Sequence, residues 1–127
     1  MDVDSIKFEN SFLDTFSKRF KGRTSLMIQV AKIFLDQASI MKSILENSDQ
    51  ETDYESIRFE AHKFKSTVNI IGLESLKTFA AKTEELYYHG KPEECTAVLL
   101  HDFAKQIEVD TQKIELAVEE ISQTETN

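Results

Sequence analysis

Tryptophan is absent from this chain of 127 residues, proline and cysteine occur once each, and glycine three times. A lone cysteine, Cys95, excludes an intramolecular disulfide framework, and no CxxC or catalytic signature surrounds it. It reads as a small core or boundary residue. So little glycine and proline leaves few tight turns, while Ala, Leu, Glu, Lys and Ile are plentiful, a balance that favours long helices. No apolar run approaches the roughly 20 residues that cross a bilayer. The acidic start Met1-Asp2-Val3-Asp4 lacks the basic and apolar regions of a signal peptide, so a cytoplasmic protein is expected. Basic residues are the minority, 15 against 23 acidic ones, for a formal charge of −8. That balance argues against a nucleic-acid backbone or an anionic membrane as partner and favours partners with a basic patch. No Gly-rich phosphate loop or P-loop pattern occurs. The three histidines have no metal-ligand spacing; His89 and His101 read as a helix-end and a surface residue.

What is present is helical periodicity. Ile6, Phe8, Phe12, Leu13, Phe16 and Phe20 are loosely spaced as in a short leading helix over about 5–20, ended by Lys21-Gly22-Arg23. With Thr24 as N-cap, a strong pattern follows through Val30, Ile33, Phe34, Ala38, Met41, Ile44 and Leu45, and Asn47-Ser48-Asp49 breaks it. Thr52-Asp53-Tyr54-Glu55 fits a capping box for a helix with Tyr54, Ile57, Ala61, Phe64, Val68 and Ile71 on one side, and Gly72 marks its end. A further helix uses Leu73, Leu76, Phe79, Ala80, Thr83, Leu86 and Tyr87. His89-Gly90-Lys91-Pro92 is a stop and restart. A last helix is expected over 92–122, with Asp110 interrupting its apolar stripe either because the helix outruns the bundle or because the stripe rotates. No strand-type alternation or internal repeat competes. The expected architecture is all-α: one domain comprising a leading segment (1–22), an antiparallel up-down four-helix bundle (24–122) and a polar, frayed tail (123–127).

The segment from Phe59 to Gly72 holds the chemistry. At about 100° per residue, the apolar set Ile57, Ala61, Phe64 and Val68 centres roughly 120° away from His62, which places the imidazole beyond the core edge. Arg58, Phe59, Lys65, Ser66 and Asn69 lie three, four or seven residues from it and share its face. Lys65 is within reach of an anionic group on His62. Ser66 is small enough to admit another protein's loop. Phe59 is an aromatic on a wet face, either a docking residue or a packing partner of the leading helix; Arg58 and Asn69 read equally as surface residues or as phosphate or partner contacts. A lone histidine on a helix is ordinarily structural or merely exposed, and Lys65 alone is an ordinary solvated lysine. An imidazole, which titrates near about 6.5, is mostly neutral at pH 7 and needs no general base to act as a nucleophile.

Ala61-His62-Lys63-Phe64-Lys65-Ser66-Thr67-Val68, followed by Ile71-Gly72-Leu73, resembles the signature of histidine-containing phosphotransfer (HPt) domains, roughly Ala-His-x-Leu-Lys-Gly-Ser-Ser with an apolar residue and glycine downstream. Arg19-Phe20-Lys21-Gly22 and Phe34-Leu35 extend the resemblance more weakly over most of the chain. The resemblance implies a phosphorelay carrier, a stoichiometric intermediate with no ATP-dependent kinase activity. His62 is then the phosphoacceptor and donor, attacking through Nε2, Lys65 the phosphate-side cation, and Gly72 the downstream structural glycine. Arg58, Phe59, Ser66 and Asn69 form the partner-binding face. Receiver domains of response regulators and a hybrid histidine kinase are the implied partners. No cofactor is expected on this chain, and Mg²⁺ is supplied by the receiver. Ser66 stands where the family usually has glycine, and Phe64 where it has leucine. Ser66 keeps open a second reading, an adaptor that binds a receiver or other signalling partner without carrying phosphate. A third, an ATP-using kinase fragment, lacks the nucleotide-binding segment it needs.

Overall fold

A computed structural model describes residues 11–47, 54–88 and 96–126, which form five helices and, among those residues, no strand. They are α1 (Ser11–Arg19), α2 (Thr24–Asn47), α3 (Tyr54–Ile71), α4 (Glu74–Tyr88) and α5 (Thr96–Thr126). The capping box around Thr52, the His89-to-Pro92 restart, Cys95 and the start of the leading helix lie outside the described residues. α2 packs against α3 and α5, and α4 also packs against α3 and α5, which closes the four long helices into a ring; α1 leans on α2. This is the expected all-α bundle.

The core follows the heptad-like rows read from the sequence. Met27, Ala31, Phe34, Ala38, Met41 and Leu45 are buried on α2, and Ile57, Ala61, Phe64, Val68 and Ile71 on α3. One phenylalanine from each long helix joins a chain of rings across the middle: Phe34 stacks on Phe64 at 5.7 Å, Phe64 meets Phe103 at 6.1 Å, and Phe103 stacks on Phe79 at 5.8 Å. Offset aromatic contacts of this kind add to the burial of their large apolar area. They fix the relative levels of the helices, so residue 34 of α2 stands beside residue 64 of α3.

Two details differ from the sequence reading. Asp110 neither leaves the bundle nor rotates outward. It is buried in the apolar row of α5, where Gln106 Nε2 donates to its Oδ2 at 3.2 Å and the Lys113 ammonium lies 3.4 Å from Oδ1. A buried carboxylate is tolerable when such partners replace its water. The last helix also continues to Thr126, because nothing after Ser122 is a glycine or proline that would stop it.

The end of α3 explains two sequence features at once. Gly72 has φ +91°, its N–H donates to the Val68 carbonyl at 2.9 Å, and the Leu73 N–H donates to the same carbonyl at 3.0 Å, a left-handed C-cap that favours glycine. Arg19 crosses from α1 to the remaining carbonyls, its Nε donating to Ile70 O at 3.1 Å and its Nη2 to Asn69 O at 2.8 Å. A Cβ on residue 72 would meet the Arg19 side chain at 3.2 Å. The arginine read as part of a family motif thus caps the helix that holds His62. Gly72→Ala is expected to lower unfolding free energy by about 1–2 kcal/mol through backbone strain. Arg19→Ala should cost about 1–2 kcal/mol by leaving the carbonyls without their cationic donor. Urea denaturation monitored by circular dichroism measures both.

Candidate functional site

His62 points outward from α3, with 64% of its side chain exposed, as the angle between it and the apolar row requires. The rest of its environment comes from α4. Glu84 stands beside the buried row of Leu76, Ala80, Thr83 and Tyr87, on the edge turned toward α3. Its Oε1 is 2.6 Å from His62 Nδ1, and its Oε2 is 2.6 Å from the Lys65 ammonium. Oε2 is enclosed and lacks a well-angled hydrogen bond, so the Lys65 contact is an ion pair more than a directional bond. Burial disfavours the Glu84 charge, but the adjacent Lys65 ammonium and the His62 imidazole outweigh it and hold the carboxyl below its ordinary range. Glu84 is therefore ionised at neutral pH.

An ionised carboxylate only accepts hydrogen bonds. In neutral His62, Nδ1 must consequently carry the proton and donate to Glu84 Oε1, which leaves the lone pair on Nε2. Glu84 fixes both the tautomer and the orientation of the ring, and it directs the nucleophilic nitrogen away from α4.

The expected neighbours divide into two groups. Phe59 is 65% exposed and Ser66 is exposed, so both are accessible on the face. Arg58 is engaged elsewhere: its Nη2 is 3.1 Å from Glu55 Oε2 and its guanidinium lies 5.8 Å from the Tyr88 ring centroid. Asn69 is exposed, and its carbonyl belongs to the Arg19 cap. Lys65 lies near His62 as expected, though its partner in this structure is Glu84. Among the described residues no group of three or more His, Cys, Asp or Glu could hold a metal ion, and no helix is long and apolar enough to cross a membrane. His101 is an exposed residue of α5.

Glu84 was the residue that sequence reasoning missed. Its signal was available in the hairpin geometry: His62 lies ten residues before Gly72 and Glu84 twelve after it. Two antiparallel helices joined at that glycine bring such positions to one level. A glutamate in a chain with 23 acidic residues does not otherwise stand out.

Comparison with curated proteins gives no match, nor does comparison with solved structures. A family model does match, the Hpt domain, over residues 29–124. That span takes in the whole ring of core phenylalanines, the exposed imidazole and both of its charged neighbours, and the chain belongs to the Hpt domain family.

Proposed function

We propose that this chain is a phosphorelay carrier that takes a phosphoryl group onto His62 from a receiver-domain phosphoaspartate and passes it to an aspartate of another receiver. Hpt domains serve phosphotransfer in two-component systems, where they meet receiver domains and histidine kinases. The observation that supports the finer reading is the exposed imidazole with Nδ1 tied to Glu84, so that Nε2 faces outward.

In the forward step the Nε2 lone pair attacks phosphorus in line, and the P–O bond to the receiver's aspartate breaks with its electron pair leaving on the carboxylate. The ring gains positive charge as the P–N bond forms. Glu84, already accepting from Nδ1–H, offsets that charge without reorganisation. The phosphoryl oxygens come within reach of Lys65, whose ammonium gives a charge-assisted contact. Mg²⁺ and most of the stabilisation of the transferring group come from the receiver. The carrier uses no ATP, turns over no substrate of its own, and works in the cytoplasm without nucleic acid or membrane. Passing the group on is the same step reversed on a second receiver.

The test is incubation of the chain with a ³²P-labelled phosphoreceiver and Mg²⁺. Acid-labile, alkali-stable label moving onto the chain is the expected result. Binding of the receiver without label would support the adaptor reading, and label from ATP alone would support the kinase-fragment reading. Lys65→Ala should slow transfer about 5- to 20-fold, the scale of one charge-assisted contact, and leave the fold intact. Stopped transfers resolved on Phos-tag gels measure this, and unchanged kinetics would remove the lysine from the mechanism.

A further inference from the structure

α5 carries apolar residues on the face that the bundle leaves outside. Its exposed large apolar side chains are Val98, Val109 and Leu116. They stand eleven and seven residues apart, close to three whole turns and two, so they share one line of the helix. At about 100° per residue that line is roughly 140° away from the centre of the buried row Phe103, Ile107, Ile114, Ala117 and Ile121. α2 and α4 pack on the two flanks of α5 and leave this line uncovered. Because α2 and α4 also flank α3, the line lies on the far side of the bundle from the helix of His62.

Polar residues complete a seam along it. Lys105, Val109, Gln112, Leu116 and Glu119 follow one another in steps of four and three, the spacing at which two helices pair, and all five are exposed. Their order is self-complementary about Gln112. Laid end for end on a second copy, the seam sets Val109 against Leu116 of the other copy, Gln112 against Gln112, and Lys105 against Glu119. A two-fold axis through the Gln112 pair makes the apolar and the charged contacts twice each. In a parallel pair Lys105 would face Lys105 and Glu119 would face Glu119, which opposes association. Neighbouring charges of α5 are used within the chain, Glu108 with Lys42 at 2.9 Å and Asp110 with Lys113 at 3.4 Å. Lys105 and Glu119 form no ion pair among the described residues.

We propose that the outer face of α5 is a self-association surface, on which two copies of this chain pair antiparallel about a two-fold axis at Gln112. The inference does not depend on the relay reading. The seam from Lys105 to Glu119 is about 21 Å long, with an amide layer at its centre, an apolar layer on each side and an ion pair at each end. The two Gln112 amides satisfy one another, each having a donor and an acceptor, and a single polar layer in an apolar seam fixes its register. Elsewhere the formal charge of −8 makes two copies repel, whereas this seam offers one charge of each sign. One helix pair buries less than a standard interface, so pairing is weak and reversible, with a dissociation constant on the order of 10–100 μM. The paired chains hold their His62 helices on opposite outer sides, so each imidazole stays open to its own visitor.

Sedimentation equilibrium over concentrations that bracket this range tests the pairing in the full chain. Wild type is expected to pass from monomer to dimer. Leu116→Glu, Lys105→Glu and Glu119→Lys each replace an exposed side chain, and the melting temperature checks that each variant folds. Each should weaken the dimer about tenfold or more, because either charge change turns two attractions into two repulsions. Mixing the Lys105→Glu and Glu119→Lys variants should restore pairing, since opposite charges then meet again at both ends. The exchanged variant Lys105→Glu/Glu119→Lys should dimerise like wild type. A wild type that stays monomeric at ten times the upper concentration would overturn the proposal, even if it bound a basic amphipathic peptide on this face. So would a dimer that Leu116→Glu leaves intact, or single charge variants that pair as tightly as wild type. Transfer from a labelled phosphoreceiver should be equal in wild type and Leu116→Glu, so loss of the dimer and loss of the relay reading are separate results.

Discussion

His62→Gln is expected to take no phosphoryl group from a phosphoreceiver, a loss below detection, while the melting temperature stays within a few degrees of the parent. The side chain is mostly exposed and hydrogen-bonds to Glu84 at the surface, so the core is untouched by the change. Glutamine retains an amide that can donate to Glu84 but offers no nitrogen lone pair for attack. The measurement is autoradiography after incubation with labelled receiver and Mg²⁺, run beside receiver pull-down. Label retained by the variant would refute the site. Loss of label with binding preserved would separate chemistry from docking.

Glu84→Ala should have the next largest effect, slowing transfer about 10- to 100-fold, the scale of loss when the carboxylate that orients a metal-bound imidazole is removed. With the carboxylate gone, Nδ1–H has no fixed acceptor, the tautomer is free to change, and the charge that develops on the ring is no longer offset. Glu84→Gln distinguishes orientation from charge. Its amide oxygen still accepts from Nδ1–H, so a rate within a few fold of wild type means that tautomer and geometry dominate, whereas a loss as large as that of Glu84→Ala means that the negative charge does. A merely structural glutamate would alter stability without this split. Stability supplies a separate readout. The Glu84 carboxyl titrates below its usual range in the folded chain, so its ionised form stabilises the fold at neutral pH. That contribution is lost as acidification passes from the usual carboxylate range down through the lowered folded value. Thermal midpoints of Glu84→Gln should accordingly fall less steeply than those of wild type over the acid range.

Most of the fold was legible because helical rows leave a dense record. Ile57, Ala61, Phe64 and Val68 define a face, and the outward position of His62 follows from arithmetic on turns. Gly72 could be recognised as a helix end, though not as the landing place of Arg19, since hydrogen bonds between α1 and α3 leave no local spacing. Asp110 was misread for a related reason. A carboxylate in an apolar row suggests exposure until its partners are known, and here Gln106 and Lys113 supply them from one turn on either side. The site itself was half legible. His62 and Lys65 are neighbours on one helix, whereas Glu84 becomes a neighbour only when α3 and α4 fold back on each other.

The resting position of Lys65 has a bearing on how a relay keeps moving in both directions. Its ammonium already has an anion at 2.6 Å before any phosphate arrives, so arrival of the group replaces or divides one attraction where an unoccupied cation would have gained one outright. Under the proposed function, the charged and discharged forms of the chain are thereby kept closer in free energy, and the cargo is held weakly enough to be passed on. On this account a tighter grip, such as an unpaired cation beside the ring would give, makes a longer-lived phosphohistidine and a poorer courier.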